Sequence, residues 1–225
     1  MDFKFRTDLR TVIFDFDGVI NDSVKLGIER ITKLAAAAGH KIPEDIRERL
    51  PRHWGIYGPK MIKAIFDIDD KASNELYKEW ERVDATDFFP LILNAKETIQ
   101  YLRNGLNLKI GMLTSRNRQN LMDVINYHGL SELFDAIQCR DDCAFVKPDP
   151  LSFNHILNLL NVPKDACIYV GDTIGDLQAA TGACIRFVGV ETGFLRKSDW
   201  QAAGLESKNI LADIGWLPVW ILKHF

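Results

Sequence analysis

Residues 11–23 read Thr-Val-Ile-Phe-Asp-Phe-Asp-Gly-Val-Ile-Asn-Asp-Ser. The run from Thr11 to Phe16 is short, rich in β-branched residues and without clean alternation, as expected of a strand buried on both faces of a parallel sheet. It runs out into two acids, Asp15 and Asp17, followed by Gly18. Carboxylates two residues apart at the end of a buried strand suffer desolvation and mutual repulsion unless a cation or a proton offsets them. Mg²⁺ suits such a place, because it takes few carboxylates and keeps waters, leaving room for phosphate oxygens.

Outward from this strand, similar runs occur at Leu108 to Leu113, Ala136 to Cys139, Cys167 to Val170 and Ile185 to Val190. Helical patterns separate the later ones. Asn94 with Glu97 predicts a capping box, and Asp149 before Pro150 predicts an N-cap ahead of a first-turn proline. The alternation predicts an α/β fold, a doubly wound and mostly parallel sheet that binds ligands at its carboxyl ends where the strand order reverses. About 90 residues separate the first two strands, far more than a crossover helix needs. Within them Val24, Ile28, Ile31, Ala35 and Ala38 recur at helical spacing up to Gly39, and Met61, Ile62, Ile65, Phe66, Leu76, Trp80 and Val83 continue the pattern. The expected division is a core of residues 1–22 and 90–225 with a helical subdomain, 23–89, inserted where a lid would stand.

The 225 residues are 47% hydrophobic and 26% charged, a globular usage that excludes a disordered or disulfide-scaffold chain. Lys plus Arg number 28 against 31 for Asp plus Glu, so no basic excess is available for a nucleic-acid backbone and none is expected as partner. No apolar run reaches membrane-spanning length, and charges occupy the N-terminus where a secretory signal needs apolar residues; a soluble, cytoplasmic protein is expected. Cys139, Cys143, Cys167 and Cys184 form no Cys-x-x-Cys and read as reduced thiols, and the histidines form no ligand pair, so no zinc site is expected.

Three further elements carry chemistry. Ile168 to Asp176 reads Ile-Tyr-Val-Gly-Asp-Thr-Ile-Gly-Asp, with Asp172 at a strand end and Asp176 one turn into the following helix, able to face back. Met112-Leu113-Thr114-Ser115 ends another strand, with the Thr114 hydroxyl at the sheet edge and Ser115 suited to cap the helix that contains Leu121, Val124 and Ile125. Lys147 follows apolar residues and precedes Pro148-Asp149-Pro150, which restrict its backbone and make it a candidate phosphate clamp.

These elements, in this order, resemble the haloacid dehalogenase superfamily, and in particular the branch of phosphoglycolate phosphatase and β-phosphoglucomutase. The resemblance covers nearly the whole chain, including the helical insertion after the first motif and Ala179-Ala180 after the last. It implies Asp15 as nucleophile, Asp17 as general acid and base, Thr114 as phosphoryl hydrogen-bond donor and Lys147 as the neutralising lysine. It also implies a Mg²⁺ site drawn from Asp15, the backbone carbonyl of Asp17, Asp172 and Asp176, the last varying in the family between ligand and orienting residue, with Gly18 and Ser115 at the substrate. Val19 stands where threonine is frequent, at a position that contributes mainly backbone. An acid at Asp17 is the phosphatase form, since the family's dehalogenases and phosphonatases have leaving groups that need no proton from it.

The implied function is a Mg²⁺-dependent phosphatase acting on a small phosphorylated metabolite, as monomer or homodimer. A phosphosugar mutase shares the four motifs and stays open at this point. A receiver-type signalling module combines similar groups, but it is about half this length and carries its aspartate on a later strand. Substrate selectivity falls to the insertion, where Arg49 to Lys60 gathers Arg52, His53, Tyr57 and Lys60. Pro51, Gly55 and Gly58 predict a loop there. Its cations favour a substrate with a second anionic group.

Overall fold

The computed structural model describes residues 9–56 and 58–225. Strand β1 (Thr11–Phe14) is followed by helices α1 (Val24–Ala37), α2 (Ile46–His53), α3 (Gly58–Phe66) and α4 (Asp70–Asp84). Next come α5 (Ala95–Gln100), which runs on into a wider π-helical turn over Tyr101–Gly105, then β2 (Lys109–Leu113), α6 (Arg118–Tyr127), β3 (Ala136–Gln138) and α7 (Phe153–Leu160). The chain continues as β4 (Cys167–Gly171), α8 (Ile174–Gly182), β5 (Arg186–Val190), α9 (Lys197–Ala202), β6 (Ile210–Leu211) and α10 (Leu217–His224).

Among the described residues six strands form one parallel sheet in the order β3-β2-β1-β4-β5-β6. The two-residue period of a strand sends Val12 and Phe14 into one apolar layer and Ile13 into the other. Ile168 and Val170 of β4 join the first layer, Cys167 and Tyr169 the second. Residues of α5, α6 and α10 close the first layer, and those of α7, α8 and α9 the second. Both faces are therefore dry, which is why these strands read as continuous apolar runs. Each fully buried aliphatic or aromatic side chain here contributes roughly 1.5–3 kcal/mol.

From β1 the chain moves outward through β2 to β3, then returns to β4 on the other side of β1 and moves outward again. The reversal lies between β1 and β4, and it opens a crevice at their carboxyl ends. Phe14 is in register with Val170 and with Met112, so Asp15, Asp172 and Thr114 all emerge at that edge. The bond from Asp15 N to Val170 O, 2.9 Å, holds the first of them there.

Helices α1 to α4 have a buried cluster of their own, built from Ile31, Ala35, Leu50, Met61, Ile62, Ile65, Phe66 and Leu76. At the other end of the chain, Leu217, Trp220 and Ile221 of α10 are buried in the first sheet layer, while Trp216 and Val219 stay exposed.

Several local expectations are corrected. Pro51 does not open a loop but lies inside α2, where it removes one backbone bond near the end of a short helix, and Trp54 N still bonds Leu50 O at 2.8 Å. Asn94 makes no side-chain cap; its backbone is left-handed, with φ 60°, rather than in the extended conformation from which a capping side chain reaches the helix start. The cap of α6 is Asn117, whose side chain accepts from Asn120 N at 2.9 Å, and not Ser115. Two-residue β6 is too short to leave a periodic signal. The expected cap at Asp149 is present, its carboxylate accepting from Leu151 N at 2.9 Å ahead of the 3₁₀ turn that leads into α7. All four cysteines are free thiols. No helix among the described residues is long and apolar enough to cross a membrane.

Candidate active site

Asp15, Asp172 and Asp176 bring carboxylate oxygens within 4.8 Å of one another in the crevice. All three are buried. Lys147 lies among them, its Nζ 2.8 Å from Asp15 Oδ2 and 2.7 Å from Asp176 Oδ1, and it also donates to Tyr169 Oη at 3.0 Å.

Asp176 occupies the first turn of α8 and is fully buried, not an exposed helix residue. A reciprocal capping box fixes it: Asp176 N donates to Thr173 Oγ1, while Thr173 N and Oγ1 donate back to Asp176 Oδ2 at 3.0 and 2.6 Å. Asp176 Oδ1 accepts from Tyr169 Oη at 2.7 Å as well as from Lys147. Burial works against its charge, and these partners outweigh burial to hold its carboxyl below the usual range.

Asp172 is the opposite case. At 3% exposure it receives no hydrogen bond and no ion pair among the described residues. Burial, then the charges of Asp176 and Asp15, push its carboxyl well above the usual range. Asp15 is pushed up to about 7, by burial first, with Lys147 pulling the other way. Two buried carboxylates in want of positive charge, beside a third already engaged, form a donor set for a hard divalent cation. The loops are tight around it: a Cβ on Gly18, whose φ is 73°, would fall 2.2 Å from Asp172 Oδ2. Gly18 carbonyl accepts from the Thr192 hydroxyl.

Asp17 points elsewhere. Its carboxylate is gripped by Arg116, from Nε to Oδ2 at 2.7 Å and from Nη2 to Oδ1 at 2.9 Å, with Asn21 Nδ2 adding a bond of 3.0 Å to Oδ1. Burial opposes its ionisation, but Arg116 dominates and keeps the carboxyl below the usual range. Arg116 Nη1 also reaches Asp84 Oδ2 of α4 at 2.5 Å, and Asp84 Oδ1 accepts from Arg30 of α1 at 2.8 Å. A chain of paired charges thus joins the end of β1, the segment after β2 and two helices of the insertion.

The segment after α2 touches the crevice. A Cβ on Gly55 would stand 3.1 Å from Thr173 Cγ2, and the Trp54 ring lies 5.8 Å from Phe194. Two cavities share Trp54, Gly55 and Ile56 as a common wall. The larger, about 530 Å³, is lined by Asp15, Lys147, Asp172 and Arg52 among others, and the smaller, about 110 Å³, by Asp17, Ser115 and Arg116. Thr114 is buried at the end of β2, its Oγ1 accepting from Arg116 N at 3.2 Å.

The structure therefore brings together Asp15, Lys147, Asp172, Asp176 and Gly18, and sets Asp17 and Ser115 at the adjoining cavity. Arg52 lines the larger cavity but is 72% exposed, with only a 3.9 Å approach to Glu48. His53 and Lys60 line neither cavity. Tyr57 lies outside the described residues. Sequence reasoning missed Arg116, Asp84 and Tyr169; Arg116 directly follows the Thr-Ser pair, which was the one signal that pointed toward it.

A profile of haloacid dehalogenase-like hydrolases matches residues 12–190, a span that holds every one of these acids and the lysine. The chain belongs to the haloacid dehalogenase-like hydrolase family. As a member it is a hydrolase, and the relatives it resembles are named phosphatases. Over 230 residues it is 25% identical to a phosphoglycolate phosphatase of Psychrobacter arcticus, covering 97% of this chain and 98% of that one. It is 27% identical over 192 residues to a phosphorylated carbohydrates phosphatase of Thermotoga maritima, covering 81% and 85%. Among solved structures, a hydrolase from Pseudomonas syringae superposes with a TM-score of 0.74 at 24% identity over 93% of this chain and 96% of that one.

Proposed function

We propose that this family member is a Mg²⁺-dependent phosphatase that hydrolyses a small phosphorylated metabolite through an aspartyl phosphate on Asp15. The observation that carries the reading is the buried set Asp15, Asp172 and Asp176 with Lys147 between them, at the point where the strand order reverses.

Asp15 attacks phosphorus in line and the alkoxide leaves on the opposite side. Asp17, once released from Arg116 and protonated, gives the leaving oxygen its proton, then takes one from the water that hydrolyses the acyl phosphate, so one side chain serves both half-reactions. Lys147 brings the anionic nucleophile and the anionic phosphoryl group together by screening their repulsion. The Thr114 hydroxyl, which accepts from Arg116 N, keeps its own proton for a phosphoryl oxygen. Asp15, Asp172 and the Asp17 carbonyl would hold Mg²⁺, with Asp176 orienting Lys147 and Tyr169 beside them. When bound, the ion supplies further charge neutralisation at the phosphoryl oxygens. Residues 23–89 act as a lid, with Trp54 to Ile56 as the part that meets the core, and Arg52 meets substrate at the rim of the larger cavity.

The test is phosphate release from a panel of phosphorylated metabolites, with Mg²⁺ and with chelator. Release that depends on Mg²⁺ is expected. No release from any ester, or full activity in chelator, overturns the reading.

A further inference from the structure

Lys147 meets a buried partner, Tyr169, to which the phosphoryl chemistry above gives no task. We infer that Tyr169 is a positioning residue, whose hydroxyl holds the Lys147 ammonium off Asp15 so that the lysine screens the phosphoryl group without closing over the nucleophile. This rests on the phosphatase reading and adds a residue to it.

A lysine ammonium sits on a flexible four-carbon stem and has three N–H donors, so its place is set by the acceptors around it. Lys147 has three: Asp15 Oδ2 at 2.8 Å, Asp176 Oδ1 at 2.7 Å and Tyr169 Oη at 3.0 Å. No N–H is left over. The acceptors differ in what the reaction does to them. Asp15 changes its charge and its bonding when the acyl phosphate forms, so it cannot be a constant anchor. Asp176 and Tyr169 make and break no covalent bond, and they are the two that stay.

Each anchor is fixed by a different part of the fold. The capping box at the start of α8 holds Asp176. The core holds Tyr169, which is fully buried in β4 in register with Ile13, its ring edge-on to Phe153 at 4.9 Å and 6.0 Å from Phe187. A phenol carries its oxygen rigidly on the ring, so this packing places the hydroxyl as well. The hydroxyl has one proton to give. With Lys147 donating to the oxygen, that proton goes to Asp176 Oδ1 at 2.7 Å in preference to the Leu113 carbonyl at 3.5 Å. Lys147, Tyr169 and Asp176 thereby close a ring of three hydrogen bonds. Phenylalanine at this position keeps the aromatic packing and deletes only the hydroxyl. The freed N–H of Lys147 then lacks its acceptor in a buried place, and Asp15 and Asp176 are the anions already beside it. A lysine drawn closer to Asp15 covers the carboxylate that must approach phosphorus, so the loss falls on the transfer rate and not on binding.

The experiment compares Tyr169→Phe with the wild type in steady-state kinetics on a phosphomonoester that the wild type hydrolyses, over a range of Mg²⁺, with thermal unfolding in chelator alongside. A hydrogen bond to a charged group has a weight that corresponds to a fall in kcat of about ten- to a hundredfold. KM and the Mg²⁺ needed for half-maximal rate should stay within about twofold of wild type, and the variant should remain folded at the assay temperature. A second arm adds Tyr169→Phe to Lys147→Ala and collects the residual phosphate release over a long incubation. With no ammonium to hold, loss of the hydroxyl should change that rate by less than about twofold, whereas a merely structural role lowers it as much as in the wild type. An unchanged kcat, a fall matched by an equal rise in KM or in the Mg²⁺ required, a fall accounted for by unfolded protein, or equal losses in both backgrounds overturns the inference and leaves the phosphatase reading standing. Absence of wild-type hydrolysis for every ester overturns both.

Discussion

Replacing Asp172 with asparagine should stabilise the metal-free protein while removing its response to Mg²⁺. Asp172 is buried without a hydrogen bond or ion pair among the described residues, and burial and the neighbouring acids raise its pKa well above 3.8. An acid whose folded pKa is raised binds more protons in the native state than in the unfolded one, so its contribution to stability falls as pH rises above the unfolded value. If it must be held protonated at pH 7.5, the penalty is bounded by about 1.36 × (7.5 − 3.8), or about 5 kcal/mol. At pH 5 the same bound is only about 1.6 kcal/mol. Asparagine needs no proton, but its buried amide lacks partners and costs roughly 1–3 kcal/mol. The gain at pH 7.5 is therefore at most roughly 2–4 kcal/mol, which for a chain of this size raises Tm by no more than roughly 4–16 °C. Thermal unfolding followed by circular dichroism, in chelator and in Mg²⁺ at pH 5 and 7.5, reads all of this. A variant less stable than wild type in chelator at pH 7.5, or one that Mg²⁺ stabilises as it does the wild type, would refute the reasoning.

Mg²⁺ binding displaces protons from Asp15 and Asp172, so the rise in wild-type Tm at saturating Mg²⁺ should be larger at pH 7.5 than at pH 5; calorimetry in buffers of different ionisation enthalpy should record proton release, and none would count against these ligands. Asp17→Asn should slow alkyl phosphates by about 100-fold or more, with aryl phosphates, whose leaving groups need no proton, losing less in the first step; equal loss on both contradicts its role as acid. Lys147→Ala leaves Asp15 and Asp176 without their shared cation, so steady-state kinetics should show a large fall in kcat and thermal unfolding a loss of roughly 3–5 kcal/mol, partly recovered with Mg²⁺. A lowered Mg²⁺ affinity with kcat unchanged would mean that its role has been misplaced.

The strands were readable because both faces of the sheet are dry: Thr11 to Phe14 and Cys167 to Gly171 carry no charged residue of the kind an exposed face would show. The acids were readable because a carboxylate at the end of such a run is conspicuous, and Asp15, Asp172 and Asp176 meet although more than a hundred residues separate the first from the others. Arg116 and Asp84 were hidden for the converse reason. Arg116 precedes a helix and Asp84 ends an amphipathic one, and both positions are ordinary for exposed charges. Only the packing of α4 over the end of β2 buries them and pairs them with Asp17 and Arg30. Tyr169 occupies an inward position of β4 that any aromatic residue could fill, so its bond to Asp176 appears only once α8 is in place. Proline and two glycines break periodicity over Arg49 to Lys60 and so predict a loop, but α2 tolerates Pro51 near its end, and the segment that reaches the crevice is shorter, Trp54 to Ile56.

The central claim is that Asp15 carries the phosphoryl group. Mixing enzyme, Mg²⁺ and a phosphomonoester that the enzyme hydrolyses, quenching in acid within the first turnover and mapping peptides by mass spectrometry tests it directly. The account predicts the added mass of one phosphoryl group on the peptide containing Asp15, lost on treatment with hydroxylamine and absent in Asp15→Asn. A label on any other residue, or turnover by Asp15→Asn at the wild-type rate, would contradict it.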